Sequence, residues 1–345
     1  MNTRCERCHA EIAAEWRASL HRQSHTSQTY RDQLVREPRA FCDGCHAPEA
    51  DPPGPVAEGP SQMGVGCVTC HVAGDRLLAG PGPGRTAETT KTDGTVKTAS
   101  TEGTADATEI AGGERAHEDL TRTADLAGPW GCASCHEFAF PGARRGPAPL
   151  LMQSTVSEHA RSAHRDKPCA SCHMPERRGP TGAHRDHTFS ASRDPDLVRS
   201  AVEIREELRE GGSLRLALTP GRVGHAFPTG DMLRRLSLTI EATSAAGEVV
   251  AREQRYLARH FGLVRTPTTP LRRVLLADDR VGASGDPVII DYTPPAAAEG
   301  GRLRYLLRYE RVANPEGDEH GSPVFEGFLV LADRTLPVPL PAPSR

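Results

Sequence analysis

Hydrophobic and polar residues alternate through much of the C-terminal part of the chain. Arg215 and Ala217 separate three leucines, at 214, 216 and 218, and the stretches 236–240 and 303–309 repeat this period of two. Val249 and Val250 follow a turn at Gly247, and 325–331 is a further apolar run. Such a period is typical of β-strands that bury one face. With Gly and Pro between the runs, we predict a small all-β sandwich over residues 213–336, followed by a Pro-rich tail at 337–345.

The N-terminal part has a different composition. Residues 1–199 contain 30 large apolar side chains, about 15%, whereas residues 200–345 contain 44, about 30%. The first figure is too low for an ordinary apolar core. Residues 79–113, rich in Gly, Thr and charged side chains, predict a disordered low-complexity insertion. A short charged pattern predicts a helical connector at 196–212.

Every cysteine belongs to a C-x-x-C-H segment, the attachment signature of c-type haem. In such a segment the two thiols form thioethers with the haem vinyl groups, and the histidine binds the iron as its proximal ligand. The cysteine pairs are Cys5 and Cys8, Cys42 and Cys45, Cys67 and Cys70, Cys132 and Cys135, and Cys169 and Cys172. The predicted proximal ligands are His9, His46, His71, His136 and His173. The cofactor prediction is therefore five haem c.

Zinc and redox disulfides also use C-x-x-C pairs, but neither fits the pattern. A structural zinc site usually takes two such pairs, and neither chemistry requires a histidine after the second cysteine. Five porphyrins would also supply the apolar surface that the N-terminal part lacks. We therefore predict a mainly α or irregular pentahaem cytochrome domain over residues 1–195, wrapped around stacked haems, ahead of the β-sandwich.

A low-spin electron-transfer haem needs a second axial ligand, usually His or Met. Ten of the 15 histidines remain against five methionines, which favours bis-His ligation. Segment 15–21 matches segment 158–164 at Glu, Ser and the final His, and both are predicted to be helical. The predicted distal ligands are His21, His117, His164, His187 and His225. The possible substitutes are His25, His159 and His184, while His260 and His320 are not expected to bind iron.

Charge and hydropathy limit the partners and the location. A net charge of −3 does not favour binding to nucleic acid or to an anionic membrane surface. No apolar run approaches the roughly 20 residues of a transmembrane helix. Because haem is attached covalently outside the cytoplasm, we expect an export signal, although the sequence reaches Cys5 at once. The predicted location is periplasmic or extracellular.

Several further segments carry a family resemblance. They are 15–21, Gly64-Val65-Gly66 before Cys67, 151–155, C-x-x-C-H-Met-Pro at 169–175, His187-Thr188-Phe189, and Gly-His-Ala-Phe-Pro-Thr-Gly at 224–230. In this order they resemble the multihaem c-type cytochromes related to the cytochrome c-554 group, in the subgroup with a C-terminal β domain. The resemblance implies periplasmic or surface electron transfer over closely stacked haems. His159 stands where the family pattern suggests Trp, which leaves the choice between His159 and His164 open, and the Thr-rich insertion also departs from that pattern.

Three functions compete for this pattern. The favoured prediction is an electron carrier that passes electrons between redox partner proteins through five bis-His haems. An alternative is a multihaem oxidoreductase that reduces nitrogen or sulfur oxyanions at one open haem site. A third is a cytochrome whose β domain anchors a filament or an outer-membrane complex. All five C-x-x-C-H segments contain a proximal histidine, and ten further histidines are available as second ligands. Both observations favour the electron carrier.

Overall fold

The computed structural model describes residues 2–34, 39–50, 61–80, 117, 120–141, 149–180, 182–266, 269–315 and 321–340. The chain forms two compact units, Met1–Cys135 with Lys167–Phe189, and His136–Asp166 with Ser190–Arg345. All ten cysteines lie in the first unit. The predicted insertion lies outside the described residues from residue 81 onward, as do the end of the predicted tail and His320. The predicted domain boundaries stay a prediction.

The helices are short, and five of those in the described residues contain cysteines of the C-x-x-C-H segments. The α-helices are α1 Asn2–Cys8, α2 Ala10–Ala18, α3 Leu20–Gln23, α4 Gln28–Gln33, α5 Arg39–His46, α6 Cys67–His71, α7 Pro129–His136, α8 Thr155–Arg161, α9 Ala170–His173 and α10 Pro195–Ser200. Short 3-10 turns span Ser61–Met63, Ala124–Ala127, Glu210–Gly212 and Ala296–Ala298. No helix in the described part of the chain is long and apolar enough to cross a bilayer.

The strands are concentrated in the second unit. They are β1 Val72–Ala73, β2 Arg76–Ala79, β3 Leu120–Arg122, β4 Glu137–Ala139, β5 Leu151–Ser154, β6 Glu176–Gly179, β7 Gly182–Arg185, β8 Val202–Leu208, β9 Leu214–Pro220, β10 Arg234–Thr243, β11 Val249–Leu257, β12 Arg259–Thr266, β13 Thr269–Asp278, β14 Val288–Tyr292, β15 Arg302–Asn314 and β16 Val324–Pro337. In the first unit, β1, β2 and β3 form one small sheet, and β6 pairs with β7.

Two antiparallel sheets enclose the apolar core of the second unit. One has the strand order β11-β10-β15-β16 and the other β14-β9-β8. Their inward side chains, such as Leu216, Leu238 and Leu307, are no more than 1% exposed and belong to one cluster. Burying each such side chain contributes about 1.5–3 kcal/mol of transfer free energy. The period of two therefore predicted β9, β10, β11, β15 and β16 correctly, and a C-terminal β domain is present.

The described residues of the first unit bury few apolar side chains. They include Ala13 and Trp16 in α2, Tyr30 in α4 and Leu78 in β2. The small number of buried apolar side chains agrees with the low apolar content of the N-terminal sequence.

The predicted helical connector is helical only at its start. Helix α10 ends at Ser200, and strand β8 begins at Val202 and pairs with β9. Val202 and Ile204 alternate with charged residues, and Ile204 packs against the apolar core. The period of two and the β-branched side chains outweigh the helical charge pattern here.

Candidate haem centres

Each C-x-x-C-H segment overlaps a short helix, although His9 follows the end of α1 and Cys169 precedes the start of α9. Residues three and four positions apart share one face of a helix, so the two cysteines and the histidine of a segment project together. All ten cysteines lie in the described part of the chain, and none is in a disulfide. This arrangement suits two thioethers and one axial ligand to the same cofactor.

Cysteines of different segments lie next to one another. A hydrogen bond between Cys45 and Cys135 raises the pKa of Cys45 and lowers that of Cys135. A second such bond raises the pKa of Cys132 and lowers that of Cys169 to about 7.

The first and third segments are also neighbours. Burial, followed by the charge of Cys5, raises the pKa of Cys67 to about 11. Together these contacts place the first segment beside the third, the second beside the fourth, and the fourth beside the fifth.

In the part of the chain that the structure describes, at least four imidazoles have their Nδ1 within hydrogen-bonding distance of a main-chain carbonyl oxygen. A carbonyl oxygen only accepts, so Nδ1 carries the proton, and the tautomer is the one in which Nε2 is the metal-binding atom. The Nδ1–oxygen pairs are His46 to Ser24 at 2.8 Å, His71 to Leu78 at 2.8 Å, His187 to Arg185 at 2.6 Å, and His225 to Ala226 at 3.0 Å. Two of these histidines are predicted proximal ligands and two are predicted distal ligands.

Two predicted proximal imidazoles each face a predicted distal imidazole. The ring centres of His9 and His117 are 5.9 Å apart with planes 14° from parallel. Those of His71 and His187 are 6.1 Å apart with planes at 27°. A metal–imidazole bond is about 2 Å long and the ring centre lies roughly 1 Å beyond the nitrogen, so axial rings on one iron have centres about 6 Å apart. The residues present therefore fit a haem iron between the rings of each pair.

Burial favours the uncharged form of one member of each pair. The pKa of His9 is lowered by burial first and then by the nearby His117 and His71. Burial also lowers the pKa of His187, and His71 adds to this effect against the hydrogen bond to Arg185. Neutral imidazole is the form that binds a metal.

The repeated segments that carry His21 and His164 are not continuous helices. Helix α2 ends at Ala18 and α8 ends at Arg161, because Ser19 and Ser162 adopt extended backbone conformations. His21 therefore lies in the next short helix, with its ring 4.2 Å from that of Phe189. The sequence predicted the match between the segments, but not the break before each histidine.

The segment 224–230 approaches α8 closely. A Cβ at Gly224 would lie 2.9 Å from His159 Cδ2 and 3.4 Å from His164 Cβ. A Cβ at this position would crowd His159, so glycine allows the close approach. The segment that contains His225 therefore lies beside His159 and His164, the two histidines of the second copy. His159 itself is buried at 9% exposure, in the position that Trp16 occupies in the first copy.

Other histidines use Nε2 for bonds within the protein. His184 Nε2 lies 3.0 Å from Glu15 Oε1, and His260 Nε2 lies 3.0 Å from Asp279 Oδ1. Burial opposes the charged form of His184, but the hydrogen bond and charge of Glu15 outweigh it and raise its pKa. His25 Nε2 is 3.5 Å from Asp43 Oδ1. These contacts make His184 and His260 poor axial ligands.

The chain is similar to known proteins in part of its sequence and in its fold. Residues 4–72 match the family model described as cytochrome c554 and c-prime. These residues therefore resemble the multihaem c-type cytochromes of the c554 group. The fold is similar to the crystal structure of a penta-heme cytochrome c552 from Thermochromatium tepidum, at 20% identity and a TM-score of 0.64, with 97% of each chain covered. A search of curated proteins found no match.

The predicted c554 resemblance is thus confirmed, while the individual iron ligands stay predictions. Sequence reasoning missed the groups that hold the candidate ligands, notably Glu15, Glu158 and the carbonyl partners of Nδ1. Main-chain acceptors leave no trace in sequence. The recurrence of Glu at the same place in both copies of the repeat was the one available signal for the two carboxylates.

Proposed function

We propose that this multihaem cytochrome is a periplasmic or extracellular electron carrier with five covalently attached, bis-His haem c groups. The observation that carries the proposal is the pairing of His9 with His117 and of His71 with His187 at the separation of two axial ligands. Bound haem supplies a one-electron couple, whose potential depends on its ligands, burial and nearby charge.

The chain's own residues would bind and orient the five groups. The cysteine pairs anchor them, the five histidines of the C-x-x-C-H segments bind from one side, and Nδ1–carbonyl bonds fix the rotation of the rings at His46 and His71. We assign the opposite side to His117 at the first segment and His187 at the third. His21, His164 and His225 are the candidates for the remaining three.

The attachment segments are close enough to support transfer from one site to the next. Cys45 lies beside Cys135, and Cys132 lies beside Cys169, which brings the second segment to the fourth and the fourth to the fifth. Cys67 lies near Cys5, which brings the third segment to the first. The sparse apolar interior of the first unit fits the proposal that it wraps the five groups. Redox partner proteins would dock through the small interfaces common in electron transfer.

A reductase would need one iron with an open position and acid–base groups above it. With His117 and His187 as second ligands, the haems of the first and third segments would have no such position. Stopped-flow mixing distinguishes an electron carrier from a reductase. We expect the reduced protein to pass electrons rapidly to a second c-type cytochrome of higher potential and to react negligibly with nitrite or sulfite. Sustained turnover of either oxyanion would contradict the carrier assignment.

A further inference from the structure

The two copies of the repeated segment share a backbone device as well as a sequence pattern. In each copy the helix ends at a serine whose N–H donates to a carbonyl three residues back, Ser19 to Trp16 at 2.9 Å and Ser162 to His159 at 3.0 Å. The serine backbone angles agree within about 10°, at φ −76°, ψ 160° and φ −81°, ψ 168°. The glutamate four residues before each serine therefore occupies an equivalent position on its helix.

In the first copy, Glu15 holds both ends of the segment that presents His187. Its Oε2 accepts the main-chain N–H of His187 at 2.9 Å, and its Oε1 lies 3.0 Å from His184 Nε2. The carboxylate is 11% exposed. Between these residues, Asp186 accepts from the N–H of Thr188 at 2.8 Å and from Arg177 at 2.6 Å. The peptide next to the predicted ligand is thus fixed by buried carboxylates.

In the second copy, Glu158 makes the equivalent contact to the segment that presents His225. Its Oε2 accepts the main-chain N–H of Ala226 at 3.1 Å, and the carboxylate is 9% exposed. Its Oε1 accepts from Arg280 and from Ser154, both at 2.6 Å. Arg280 also donates to the carbonyl oxygen of Pro228 at 3.1 Å. Ala226 directly follows His225, so the anchored peptide is again adjacent to the predicted ligand.

We propose that Glu15 and Glu158 are paired positioning residues, each anchoring the main chain beside a distal haem ligand, His187 and His225 respectively. The proposal rests on the proposed bis-His function. A carboxylate suits this task because both oxygens face donors. Glutamine would turn one oxygen into an NH₂ group facing a main-chain N–H or a neighbouring donor, which weakens the anchor with little change in volume.

The test is the rate at which cyanide displaces an axial ligand in the oxidised protein, read from the spectrum of each haem. Losing an outer-shell partner typically weakens a metal site by about 10–100-fold. We expect Glu15→Gln to make one haem exchange at least about tenfold faster and leave the other four unchanged. The responding haem should be the one that turns high-spin in His187→Ala. Glu158→Gln should act likewise on the haem that responds to His225→Ala.

Glu176→Gln is the matched control for the first copy. Glu176 is on β6 and forms an ion pair at 3.6 Å with Arg185, two residues before His187. Unchanged exchange in both glutamine variants, or equal acceleration at all five haems, would overturn the positioning role. A folding failure in one variant leaves the other copy to decide. If the wild type already lacks low-spin bis-His haems, the proposed function fails instead.

Discussion

At the residue scale, the choice between the two ring nitrogens separates candidate ligands from spare histidines. His187 and His225 each use Nδ1 for a hydrogen bond to a carbonyl oxygen, whereas His184 uses Nε2 for a hydrogen bond to a carboxylate. The sequence shows that His184 and His187 are both near the fifth haem segment, but spacing cannot indicate which nitrogen is engaged. The partner Glu15 is 172 residues from His187, and only the fold brings the two together.

Replacement of His187 tests this distinction directly. We expect His187→Ala to convert about one fifth of the haem iron from low-spin to high-spin, because one of five sites loses its axial nitrogen. His184→Ala is the control and should leave every haem low-spin. Electron paramagnetic resonance of the oxidised variants gives the measurement. High-spin iron in His184→Ala, with none in His187→Ala, would reverse the assignment.

At the scale of elements, the second unit was predictable because its strands bury one face. Leu236, Leu238 and Ile240 have the predicted alternation, and all three are 0% exposed in β10. Strand β8 was not predicted, since its outward residues are charged and resemble an exposed helix. The sequence also did not predict the cluster of ion pairs around Glu326. This residue on β16 accepts from Arg193 at 3.0 Å and from Arg234 at 3.4 Å.

This cluster makes the stability of the β unit depend on pH. Burial raises the pKa of Glu326, but the charges and hydrogen bonds of Arg234 and Arg193 outweigh it, so the pKa falls below 4.5. A lowered carboxyl pKa stabilises the fold above its unfolded value, and this stabilisation is lost as pH falls through the folded value. Glu326→Gln should therefore lower the free energy of unfolding at pH 7 by about 1–3 kcal/mol.

The difference between wild type and Glu326→Gln should shrink as the pH falls below 4.5. Urea unfolding followed by far-ultraviolet circular dichroism at several pH values measures it. Glu248→Gln, in the exposed turn between β10 and β11, serves as the control and should change stability little. A difference between wild type and Glu326→Gln that is constant with pH would contradict the role of the carboxylate charge.

At the scale of the whole molecule, two kinds of interior divide the chain. The second unit has a continuous apolar core, whereas the described residues of the first bury few apolar side chains and contain every cysteine. The sequence predicted this contrast from the count of large side chains. It could not predict which cysteine–histidine segments are neighbours, because that order depends on how the short helices fold back on one another.

The most direct test of the account is near-infrared magnetic circular dichroism of the oxidised protein, on a sample whose intact mass gives its haem count. We predict that the intact mass exceeds that of the polypeptide by the mass of five haems. The spectrum should show the charge-transfer bands of five low-spin bis-His irons, and these bands should not change immediately after cyanide is added. Fewer than five haems, or a stoichiometric high-spin iron that binds cyanide at once, would contradict a carrier with five bis-His sites.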